Sequence, residues 1–91
     1  MKNLLLLLVF LVTASTSHAI DYTWTGSTDS DWATSTNWNP EGIPGESDNV
    51  LIDLPISGNN QPVLTIPATI NNFTMIEGEL QIVGAGASLS I

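Results

Sequence analysis

Leu64-Thr65-Ile66, Phe73-Thr74-Met75, Leu80-Gln81-Ile82 and Leu89-Ser90-Ile91 are four copies of one small unit, an apolar pair around a single polar residue. Successive copies begin 9, 7 and 9 residues apart, so that alternate copies lie 16 apart. Pro67, Asn71-Asn72, Gly78 and Gly84-Ala85-Gly86 separate them, and these are residues that turn a backbone. Side chains alternate across an extended chain, so each unit sends two apolar groups to one side and a polar group to the other. Very short strands of this kind, repeated at a short period and joined by tight corners, describe the coils of a β-solenoid. A helix is excluded by the frequency of Val, Ile, Thr, Gly and Pro and by the lack of a 3.6-residue period. The alternative is a small antiparallel β-sandwich, whose strands usually run about five or six residues with turns every 8 to 12 or so. Most units here are shorter than that, and the solenoid is the preferred reading.

Upstream, Asn49-Val50-Leu51-Ile52-Asp53-Leu54 reads as a strand stopped by Pro55, and Ser57 to Pro62 as a loop. Ile20 to Trp24 reads as a short first strand with Tyr22 and Trp24 on one side. Between these two strands lies a stretch of a different kind: Trp24-Thr25-Gly26, Asp31-Trp32, Asn37-Trp38-Asn39-Pro40 and Gly42-Ile43-Pro44-Gly45. All 3 tryptophans of the chain fall within it, among turn-forming residues. A solenoid would otherwise expose its first apolar layer and an unpaired strand edge to water, so its terminal repeat must be atypical. The tryptophan stretch is therefore expected to cap the first coil, with Trp24, Gly26, Trp32, Trp38 and Pro44 as its structural residues. The expected organisation is a leader over residues 1–19, a Trp-rich cap over 20–48 and solenoid coils over 49–91.

The leader is read from Met1-Lys2-Asn3, an apolar run from Leu4 to Val12, and Ser17-His18-Ala19. A basic start, a core too short to span a bilayer, and small residues at −3 and −1 of a cut after Ala19 make a signal peptide. Its removal takes with it Lys2 and His18, the sole basic residue and the sole histidine, and the chain holds no cysteine. The mature segment then carries 9 carboxylates and no Lys, Arg, His or Cys. This composition excludes Ser/His/Asp and Cys/His nucleophilic sites, histidine or thiolate metal sites, and arginine phosphate clamps. It also argues against nucleic acid and anionic membrane surfaces as partners, since both are bound through Lys and Arg. No membrane insertion is expected once the leader is cut.

The spaced set Trp24-x-Gly26, Asp31-Trp32, Asn37-Trp38, Ile43-Pro44, Asp48-Asn49-Val50-x-Ile52, Gln61-Pro62-Val63-Leu64 and Phe73-Thr74-Met75, followed by Gly-spaced Leu-x-Ile units, resembles the N-terminal region of bacterial secreted β-solenoid proteins of the autotransporter-passenger and adhesin-like kind. The resemblance spans nearly all of the segment after the leader. It implies a right-handed parallel β-solenoid starting near Asn49, a Trp-rich cap, and a place at the cell surface or outside the cell. It further implies a non-enzymatic structural or adhesin-like role. Such proteins continue for many coils, so the resemblance also implies a fragment of a longer parent.

Three constellations suggest chemistry. Tyr22, Trp24, Trp32 and Trp38 could stack on sugar rings as a glycan platform; the competing expectation is that they are buried in the cap. Asp29 and Asp31, with Asp48 or Glu46, offer hard oxygen ligands for calcium, but Thr28-Asp29-Ser30-Asp31-Trp32 lacks the later ligands and glycine of an EF-hand, and Asp in turns commonly bonds its own backbone. No cofactor is therefore expected. Glu77 and Glu79 around Gly78 meet the minimum of two carboxylates for glycoside hydrolysis, yet they sit at a corner with no basic residue to orient a substrate, so catalysis is not expected. Self-association is expected through the C-terminal units, where Leu89 and Ile91 lie on an edge without a lysine to protect it.

Overall fold

The computed structural model describes residues 18–91, so the expected leader lies outside the described residues apart from its last two positions. The described chain is all-β, with one 3-10 turn at Ser35–Asn37 as its helical element. Eight strands follow in order: β1 (Asp21–Trp24), β2 (Trp38–Asn39), β3 (Asn49–Asp53), β4 (Val63–Leu64), β5 (Pro67–Thr69), β6 (Asn72–Glu77), β7 (Gln81–Ile82) and β8 (Ser88–Ser90).

The strands after Asp48 pair in a cyclic order. β3 pairs with β6, β4 with β7 and β5 with β8, each in parallel, giving three small sheets. Asn49 lies opposite Asn72, Val63 opposite Gln81 and Pro67 opposite Ser88, so one circuit takes 18 to 23 residues. The spacing of 16 between alternate apolar units is therefore not the circuit length. The reason lies in the corners: Pro55 to Gln61 is a long excursion, Glu77-Gly78-Glu79 a short one, and three strands rather than two make each circuit. The unit Leu64-Thr65-Ile66 is split by a corner, with Leu64 buried and Ile66 exposed.

The Trp-rich stretch does more than lie across this arrangement. β1 pairs in parallel with β3, with Tyr22 opposite Val50, and so forms the layer beneath it. Asp31 bridges Val63 in the same sense, through Trp32 N–H to Val63 O at 3.1 Å and Val63 N–H to Ser30 O at 2.7 Å. Parallel pairing among the described residues thus already involves Asp21 to Thr23 and Asp31, upstream of residue 48. Among the described residues antiparallel pairing is confined to β1 with β2, where Trp24 faces Trp38, which makes the four-stranded sheet β2-β1-β3-β6 mixed.

The core gathers Tyr22, Trp24, Trp32, Trp38, Val50, Ile52, Leu64 and Ile70. Three indoles and a phenol supply most of its bulk. Aromatic rings bury about 150–250 Å² each, which suits a chain whose strands are only 2 to 6 residues long.

Candidate functional site

Two regions concentrate the side chains singled out in the sequence. The first is the aromatic end. β1 places Tyr22 and Trp24 on its inner side, and β2 returns Trp38 against them. Trp38 is the hub: Trp24, Trp32 and Tyr22 meet it edge to face, with centroids 5.0, 4.9 and 6.2 Å away. Such pairs contribute about 0.5–1.5 kcal/mol each beyond burial. The Trp38 indole N–H donates to the Trp32 carbonyl at 2.8 Å, and that of Trp24 to the Asn60 carbonyl at 2.8 Å. Exposure of the four rings lies between 0 and 7%. A sugar needs an open ring face, and none of the four offers one here.

Polar groups beside the rings form a closed knot. Asn37 is buried, and its Oδ1 accepts from the Thr28 and Asp29 amides at 2.9 and 3.0 Å. Its Nδ2 donates to Asp29 Oδ1 at 2.7 Å and to the Asp31 carbonyl at 2.9 Å, so the side-chain amide uses all its capacity. The Asp31 amide, the largest influence, and the Asn37 side chain hold the Asp29 carboxyl below its ordinary value; slight desolvation opposes them and the Thr34 hydroxyl adds to the lowering. These are the carboxylates considered for calcium. Asp31 Oδ1 accepts from the Ala33 amide at 2.9 Å, while Asp48 accepts from Ile20 and Gly45 through its two oxygens. Asp29, Asp31 and Asp48 each give at least one oxygen to the chain's own backbone amides, the arrangement of Asp in turns. Glu46 is exposed and Pro44 is buried. Gly26 has φ +61°, and a Cβ there would meet the Asn60 carbonyl oxygen, so the turn after Trp24 requires glycine.

At the far end, the residue partnering each inward side chain of the first circuit is apolar as well. Phe73 lies opposite Val50, Met75 opposite Ile52, Ile82 opposite Leu64 and Leu89 opposite Ala68. The lower layer is closed: Val50, Ile52 and Leu64 are exposed by 2, 0 and 0%. The upper layer is not, with Met75 at 38% and Ile82 at 49%. Its strands β6, β7 and β8 each have one neighbour, so their outer N–H and C=O groups form an open edge. Leu89 is partly buried and Ile91 exposed, which puts the expected self-association edge within this surface.

Glu77 ends β6, and the amide of Glu79 donates to Gln61 Oε1 at 2.7 Å. Both carboxylates are exposed. A depression lined by Asp21, Tyr22, Thr23, Asn49, Val50, Leu51 and Thr74 holds one carboxylate, as does another lined by Ser30, Asp31, Val63 and Thr65. Neither of these two depressions includes Glu77 or Glu79.

Sequence reasoning placed Asn37 and Gln61 only within the spaced resemblance set, without a role, and did not single out Asn60. Gln61 pins two circuits together, donating to the Leu54 and Pro55 carbonyls while accepting from Glu79. Asn60 clasps the Gly26 turn through its backbone and side chain. The only hint was an amide-rich run, Asn59-Asn60-Gln61, in a loop. Compared with protein-family models, curated proteins and solved structures, the chain gives no significant match.

Proposed function

We propose that the chain is the capped beginning of a right-handed parallel β-solenoid, exported by its leader to the cell surface or beyond, with a structural, adhesin-like role and no catalysis of its own. The observation that carries this reading is the half-exposed apolar layer of Phe73, Met75, Ile82 and Leu89, in parallel register over a closed one on three faces. Parallel connections within a sheet are right-handed in nearly all proteins, which sets the proposed hand. One end is finished by buried indoles; the other offers three strand edges around an apolar floor, which is what a further coil of the same kind would cover. Further coils, or a second copy where they are lacking, are the proposed occupants.

The test is to append consensus coils after Ile91 and follow thermal unfolding of the exported protein. In this reading each added coil raises the midpoint, because it buries the open layer. An unchanged midpoint on extension would count against it.

A further inference from the structure

Ile20 N–H donates to Asp48 Oδ1 at 3.0 Å, and the residue before Ile20 is Ala19, the expected end of the leader. We infer that cutting the Ala19–Ile20 bond creates a cation in a stretch, residues 20–91, that otherwise has none: the Ile20 α-ammonium, already placed on Asp48, so that export converts a neutral hydrogen bond into an ion pair locking the first strand. This rests on the leader reading above. In the hydrolysis, water adds across the amide. The C–N bond breaks, the water oxygen completes the Ala19 carboxylate, and both water protons end on the Ile20 nitrogen as –NH3+.

The surroundings suit this event. Residues 18–20 are exposed and outside any strand, so the bond is open to hydrolysis, while β1 starts at the next residue. Asp48 is held for the purpose: its Oδ2 accepts from the Gly45 amide at 2.7 Å, and its carbonyl accepts from Asn71 at 2.7 Å. Ile20 is fixed from its other end, its carbonyl accepting from the Asn49 amide at 2.9 Å. The amine therefore lies where β1, β3 and the turn before β6 meet. The titratable groups beside it are Asp48, which accepts its N–H, and Asp21, the next residue on β1. β3 and the turn before β6 contribute Asn49 and Asn71, which do not titrate, and Asn49 Nδ2 already occupies Asp21 Oδ1 at 2.8 Å. His18 leaves with the leader. All the nearby charges are negative, so they favour the ammonium form.

The amine should titrate above the ordinary α-amino range of about 7.7 to 8.0. A group whose pKa rises on folding stabilises fully below its unfolded value and loses that contribution as pH passes its folded value. The mature protein should therefore lose stability across the alkaline side of pH 8.

Residues 20–91 hold no lysine, so over this stretch an amine reagent has a single target. The exported protein is purified, its N-terminus read by mass spectrometry, and its acetylation rate and thermal midpoint measured from pH 6 to 10. The expected N-terminus is Ile20, with acetylation at pH 8 about three- to tenfold slower than in Asp48→Asn and the alkaline loss of midpoint abolished by acetylation. A different N-terminus would overturn both the leader reading and the ion pair. An Ile20 terminus with an ordinary amine, equally reactive in both proteins, would overturn the ion pair alone. Should Asp48→Asn fail to fold, the acetylation profile of the unaltered protein against that of a free Ile-Asp-Tyr peptide decides the same point.

Discussion

Ile52 and Met75 face the same way from neighbouring parallel strands, yet Ile52 is fully buried and Met75 is 38% exposed. The difference is not one of chemistry. Ile52 has a strand on each side, β1 below and β6 above, whereas Met75 has β3 alone. The same step recurs at Leu64 under Ile82.

If the open layer is an association surface, charge should control it. The protein is strongly acidic, with a formal net charge of −8 over the whole chain, so two copies repel at low salt. The Debye length falls from about 10 Å at 0.1 M salt to about 3 Å at 1 M. Sedimentation velocity of the protein should show a growing dimer fraction over that range, and Ile82→Lys should keep it monomeric. A monomer at every salt concentration would remove self-association from the account.

The two inner tryptophans should differ sharply on replacement by phenylalanine. Trp38→Phe removes the bond to the Trp32 carbonyl and the hub of three ring contacts. Trp32 Nε1 is buried with no partner, so Trp32→Phe loses ring volume but also removes an unsatisfied donor, whose burial costs about 1–3 kcal/mol. Urea unfolding should place Trp38→Phe at about 2–4 kcal/mol below the unaltered protein, with Trp32→Phe at least about 1 kcal/mol milder. Equal losses would mean that the indole N–H groups do not set the difference.

Acid should loosen the knot around Asn37. Asp29 has a folded pKa below its ordinary value, so its contribution is present above the unfolded value of about 3.9 and is lost as pH falls through the lower folded value. Thermal midpoints measured between pH 5 and 2 should fall less steeply in Asp29→Asn than in the unaltered protein. Asn37→Asp puts a carboxylate where Asn37 Nδ2 now donates to Asp29, and should unfold the cap at neutral pH with partial recovery on acidification.

At Gly26 both the positive φ and the close approach of Asn60 point one way. Gly26→Ala should destabilise by about 1–3 kcal/mol and release the Asn59–Gln61 loop to faster amide exchange. An alanine variant as stable as the parent would show that the turn relaxes freely.

The all-β class and the strand at Asn49–Asp53 were legible because the apolar run Val50-Leu51-Ile52 and the stop at Pro55 mark that strand locally. Burial of the tryptophans followed from their crowding among turn residues. The three-strand circuit was not legible, since β4 and β7 have only two residues each and leave no period of their own. Nor was the continuity of β1 with β3, which depends on pairing residues 28 apart. The roles of Asn37 and Asp48 were hidden for a related reason. An Asn or Asp in a loop looks the same in sequence whether it faces water or holds several distant amides.

The central claim, that one chain winds in parallel over three faces, is tested most directly by interstrand nuclear Overhauser effects in the isotope-labelled protein. The account predicts Hα-to-amide contacts of parallel register between β3 and β6, β4 and β7, and β5 and β8, bringing together Val50 with Phe73, Leu64 with Ile82, and Ala68 with Leu89. Close Hα–Hα contacts between consecutive strands, such as β6 with β7, would mean antiparallel hairpins and would contradict it.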